Sequence, residues 1–164
     1  MKPLWELADF IRAMRRRLRF GELSRAPLEL RRVELCGSDA ECDWNTRPAD
    51  PWDASLREYE REWNASQQAL RDALTIRELL FAAFPQVDRA VLRAFRPSSA
   101  REPPELLIAG RVRRCDGTGM RLRSWAMKAK LYGLQFNLED GILRRLERQE
   151  LDFSDVPNES IVNA

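Results

Sequence analysis

Seven cations, Arg111, Arg113, Arg114, Arg121, Arg123, Lys128 and Lys130, fall in a stretch of the chain whose only acid is Asp116. Clustered guanidinium and ammonium groups neutralise phosphates, and an aromatic such as Trp125 or Tyr132 can stack a base. Nucleic-acid or anion binding is therefore the sharpest positive expectation. Two features weigh against it: Trp125 sits on an apolar helical stripe, where it would be core, and the acidic residues after Leu151 can cover a basic face. A structural use of these cations is the stronger reading.

Other constellations are weaker. Gly117-Thr118-Gly119 lets backbone amides approach an anion, but the third glycine of a dinucleotide fingerprint and the Lys-Ser/Thr of a phosphate loop are missing, so a β-to-α turn is expected. Glu58 and Glu62 lie one helical turn apart and could act as paired carboxylates. With Arg57 and Arg61 interleaved, they are expected instead to form a salt lattice. Cys36, Cys42 and Cys115 lack CxxC spacing, and the chain has no histidine, so free thiols are expected and neither a metal nor a cofactor. An enzyme would have to work from Cys115 or from acidic residues.

Composition sets the frame for these residues. A chain of 164 residues with 44% hydrophobic and 33% charged side chains can bury a real core without disulfide staples. The net charge of +2 does not by itself argue for a polyanionic partner. No apolar run reaches bilayer length, and Glu6 and Asp9 interrupt the place of a secretory h-region, so a cytoplasmic protein is expected.

The longest element runs from Asp50 to Phe84. Asp50 before Pro51, with Asp53 following, marks a helix start, and Trp52, Leu56, Tyr59, Trp63 and Leu70 form one stripe that should be roofed by a β surface. Near Thr75 the stripe changes phase. Thr75 and Glu78 have capping-box spacing, so a bend or break is expected there, and Pro85 ends the element.

A first helix is expected over 4–18 from Leu4, Leu7, Ala8, Ile11, Met14 and Leu18, with Gly21 as its stop. In the next segment Leu28 and Leu30 fall out of phase with Val33 and Leu35. One extra residue at Arg31 or Arg32, a bulge, restores a single apolar face. The returning strand, 41–46, buries Cys42 and Trp44. Matching Leu35 to Cys42 and Val33 to Trp44 requires a two- or four-residue loop and puts Cys36 and Cys42 on opposite sides of the ribbon.

A second hairpin is expected from Val87–Arg96 and Leu106–Arg113. A helix bearing Leu122, Trp125, Ala126, Ala129 and Tyr132 follows and stops at Gly133. Over 138–148, a last helix with Leu138, Ile142 and Leu146 competes with a hairpin turning at Asp140-Gly141, and the helix is preferred.

The expected architecture is a single α+β domain, 1–150, with an acidic extended tail, 151–164. Two antiparallel hairpins form one sheet covered on one face by three to four helices. By exclusion, binding or assembly is expected rather than catalysis. The contact would use a sheet edge or face, with a homodimer or a protein partner. The alternatives are a nucleic-acid module using 111–130 and an enzyme of unspecified type.

Overall fold

Acidic and apolar residues alternate from Asp39 to Trp44, and this alternation seeds the sheet, because successive strand side chains point to opposite faces. The structure, a computed structural model, describes residues 4–19, 21, 26–48, 51–98, 101–114 and 124–146, with backbone alone at 4, 51 and 52. In chain order these form α1 (Leu4–Arg17), β1 (Glu29–Cys36), β2 (Asp39–Asn45), a 3-10 turn (Pro51–Ser55), α2 (Glu58–Ala83), β3 (Arg89–Arg96), β4 (Glu105–Arg113), α3 (Trp125–Leu131), β5 (Leu134–Glu139) and β6 (Ile142–Arg144). The fold is α+β, with one mixed six-stranded sheet in the order β1-β2-β3-β4-β5-β6 and three helices.

The two expected hairpins are present as β1–β2 and β3–β4, but they do not account for the whole sheet. β2 and β3 run parallel, Cys42 beside Leu92 and Trp44 beside Ala94, and every other neighbouring pair is antiparallel. Parallel neighbours cannot be joined by a tight turn, so α2 serves as their crossover. A third hairpin, β5–β6, stands where a helix over 138–148 was expected. Asp140 and Gly141 both take positive φ, 53° and 82°, as a two-residue turn with this twist requires. Helix followed by hairpin thus occurs three times along the chain.

In β1–β2 the predicted bulge lies between Leu30 and Arg32. The register differs from the expected one by two residues. Val33 faces Cys42 and Leu35 faces Ala40 across the two-residue turn Gly37-Ser38, so the apolar face is kept while each partner moves one pleat. Ala40, Cys42, Trp44, Ala90, Leu92, Ala94, Ile108 and Val112 make the buried face of the sheet.

Helix α2 is one helix, not two. The Thr75 hydroxyl donates to the Arg71 carbonyl at 3.1 Å, bonding back along the helix instead of capping a new one. The phase change has another cause: from Leu70 to Phe81 the helix is buried on several sides at once, against the sheet and against α1 and α3, so no single stripe survives. Its N-terminal half corrects a second expectation. Tyr59 is 53% exposed and Trp63 40% exposed, so no β surface roofs them, and the side chain of Trp52 lies outside the described residues. Tyr59 and Trp63 reach the β5–β6 turn. The Tyr59 hydroxyl donates to the Asp140 carbonyl at 2.9 Å, and the Trp63 indole lies where a Cβ on Gly141 would be.

Of the expected α1 stripe, Met14 and Leu18 are buried and Leu7 packs against the core, whereas Ala8 is exposed and Phe10, outside that stripe, is buried. Phe10 packs on Phe84 with ring centroids 5.4 Å apart. In α3 the Ser124 hydroxyl caps the Met127 N–H, and Gly133 ends the helix at φ 99°, as its spacing predicted. Under the middle of α2, Arg47 and Asp72 form a bidentate pair at 2.7 and 3.1 Å with side chains 3% and 2% exposed. Arg47 also donates to the Ala26 carbonyl and Gln68 to Asp72, so the pair ties the chain before β1 and the segment after β2 to the crossover helix.

Candidate functional site

The helices pack on the buried face of the sheet, and most side chains on the opposite face of β1–β4 are charged. Alternation turns Asp39, Glu41 and Asp43 outward from β2, and Arg89, Val91, Arg93 and Phe95 outward from β3. The bulge turns Arg31 and Arg32 to this same face. The Arg31 guanidinium lies 4.8 Å from the Phe95 ring centroid, and Arg32 pairs with Glu34, Glu41 and Asp43. Arg93 bridges Glu41 and Asp43 at 3.4 and 3.1 Å, and Arg89 meets Asp39 at 2.9 Å. Partial burial pushes the Glu41 carboxyl up, but Arg32 and Arg93 together outweigh it and hold the group below its ordinary value.

Two arginines of β4, Arg111 beside Val91 and Arg113 beside Arg89, share this face and have no ion-pair partner among the described residues. Arg111 lines a shallow depression of about 240 Å³ with Glu34, Glu41, Arg89 and the exposed Cys36. Across the face, then, an acidic row on β2 is flanked by arginines on β1 and β3, with further arginines on β4 that have no ion pair among the described residues.

The seven cations singled out in the sequence are not gathered into one cluster. Arg111 and Arg113 belong to the charged face. Arg114 turns into the C-terminal end of α2 and donates to the carbonyls of Phe81, Phe84, Pro85 and Val87. Lys130 donates to the Phe136 carbonyl and stands over its ring, and Lys128 lies 5.8 Å from the Trp125 ring centroid. Arg121, Arg123, Cys115, the Gly117-Thr118-Gly119 motif and the tail 151–164 lie outside the described residues. The salt lattice expected along α2 is not formed either, since Glu58, Arg61 and Glu62 make no ion pair among the described residues.

Sequence reading missed Arg32, Glu34, Asp39, Glu41, Asp43, Arg89 and Arg93. A signal for part of this set was present, in the acids at Asp39, Glu41 and Asp43 that alternate with apolar residues. Among the described residues no three acids or cysteines are placed to hold a metal ion, and no helix is long and apolar enough to cross a membrane.

The two described cysteines differ as the hairpin geometry requires. Burial, with Asp43 adding to it, pushes the Cys42 thiol well above its ordinary range, whereas Cys36 is exposed. Alkylation by iodoacetamide is expected to modify Cys36 in the native protein and Cys42 only after unfolding, as read by peptide mass mapping. Equal labelling of both in the native state would contradict the register of the hairpin. Comparison of the chain with protein families, curated proteins and solved structures gave no match, so its own geometry carries the functional reading.

Proposed function

We propose that the chain is a non-catalytic binding and assembly module that pairs with a second copy of itself through the charged, helix-free face of its sheet. The supporting observation is the order of charge across that face: an acidic row on β2, and, two strands away, Arg111 and Arg113, which have no ion-pair partner among the described residues. Stacked about a two-fold axis, such a face sets the acidic row of one copy against the β4 arginines of the other. Half-buried Val91, Phe95 and Leu106 add apolar area. Edge pairing has less support, because β1 carries a bulge and charged residues, devices that discourage strand addition. A polyanion has less support as well, since the acidic row repels phosphates and Arg114 and Lys130 are occupied by backbone carbonyls.

Exposed ion pairs contribute at most about 1 kcal/mol each, so the dimer is weak and sensitive to salt. Sedimentation equilibrium should show a mass rising with concentration toward a dimer and falling with added salt. The double variant Arg111→Glu/Arg113→Glu should stay monomeric with unchanged thermal stability. A wild-type protein that remains monomeric at all concentrations in low salt removes the reading. A mass shift seen only on adding a mixed oligonucleotide, and lost in the same variant, favours the nucleic-acid alternative.

A further inference from the structure

The parallel pair β2–β3 ends beside a cavity of about 550 Å³, in the size range of small-molecule sites. It lies beyond the carboxyl ends of these strands and under the N-terminal half of α2, where open sheets with a crossover helix commonly hold ligands. Its floor is buried. Ala69, Leu107 and Leu143 supply apolar surface, while Arg47 and Ser66 supply polar groups.

Those polar groups have capacity to spare. A guanidinium has five N–H donors, and Arg47 uses three, two toward Asp72 and one toward the Ala26 carbonyl. The Ser66 hydroxyl accepts from the Leu143 N–H at 2.8 Å, and no acceptor for its own proton stands among the described residues. A guanidinium and a hydroxyl that each keep an N–H or O–H beyond those already bonded are suited to an anionic head group. The rim has the complementary chemistry. Glu58 and Glu62, one turn apart on α2, make no ion pair among the described residues and line the same cavity, beside Asp53, Arg61 and Arg96.

We infer that this cavity binds a small zwitterion: a carboxylic acid whose head meets Arg47 and Ser66, with an aliphatic body along Leu107 and Leu143 and a distal ammonium between Glu58 and Glu62. The site is on the helix-covered side of the sheet, apart from the charged face, and is independent of self-association.

Three probes separate its parts. In isothermal titration calorimetry, 6-aminohexanoate binds the full chain saturably, hexanoate binds about three- to tenfold more weakly for want of the rim ion pair, and hexylamine does not bind. The variant Glu58→Gln/Glu62→Gln binds 6-aminohexanoate and hexanoate equally. Ala65, exposed on the helix wall of the cavity, can be enlarged without entering the core, so Ala65→Phe keeps the melting temperature and abolishes binding of both acids. Absence of saturable binding by all three probes overturns the inference, as does binding that Ala65→Phe leaves intact or a preference for hexylamine over the acids.

Discussion

Replacing Arg47 with methionine is expected to destabilise the protein by about 3–5 kcal/mol, because it leaves the Asp72 carboxylate buried without its partner. Gln68 remains as a neutral donor to Asp72, and the Ala26 carbonyl loses the bond that ties it to the segment after β2. Burial already pushes the Asp72 carboxyl up against the pull of Arg47 and Gln68, and without Arg47 the group is pushed further. A native pKa above the unfolded value means that the folded state keeps a proton the unfolded state has released. Stability in the variant therefore falls as pH rises through that window and recovers below it. The double variant Arg47→Met/Asp72→Leu, apolar on both sides, should regain most of the loss. Urea unfolding of the three proteins reads all of this. A single-variant cost below about 1 kcal/mol would mean that water reaches the pair.

The second large effect is expected at Arg114. One guanidinium donates to four carbonyls around the end of α2, which the chain leaves abruptly at Phe84-Pro85 and which has no glycine to close it. A cation there also meets the negative end of the longest helix. Arg114→Met should cost about 2–4 kcal/mol, since several carbonyls lose a charged donor together. Arg114→Lys should recover less than half, because a point charge cannot reproduce the fork. Both are measured by thermal unfolding. A neutral Arg114→Met would show that solvent satisfies these carbonyls.

The two effects show where sequence reading reached and where it stopped. Features set by neighbouring residues were legible: the bulge near Arg31, the separation of Cys36 from Cys42, and the stop at Gly133. The Asp140-Gly141 turn was visible too but lost to an apparent helix, because Leu138, Ile142 and Leu146 have helical spacing and a β-strand of only three residues leaves almost no alternation to detect. The loss of one-sided spacing near Thr75 mimics a break, but its cause is burial on several sides.

Pairings between distant segments were out of reach. The parallel match of β2 with β3 depends on where a 26-residue helix returns the chain, and nothing local encodes it. The charged face was hidden for the same reason. Asp39 meets Arg89 across fifty residues, whereas counting charges along the chain pointed to 111–130. Arg114 and Lys130 within that run serve backbone carbonyls, and only Arg111 and Arg113 join the face.

The claim that this face is the contact surface is tested most directly by diluting the protein and following its arginine side-chain Nε–H resonances by NMR. Shifts that depend on concentration are predicted at Arg93, Arg111 and Arg113 and should vanish in high salt, while Arg12, Arg15 and Arg144 stay fixed. Spectra that do not change on dilution, or changes confined to Arg12 and Arg15 on α1, would contradict it.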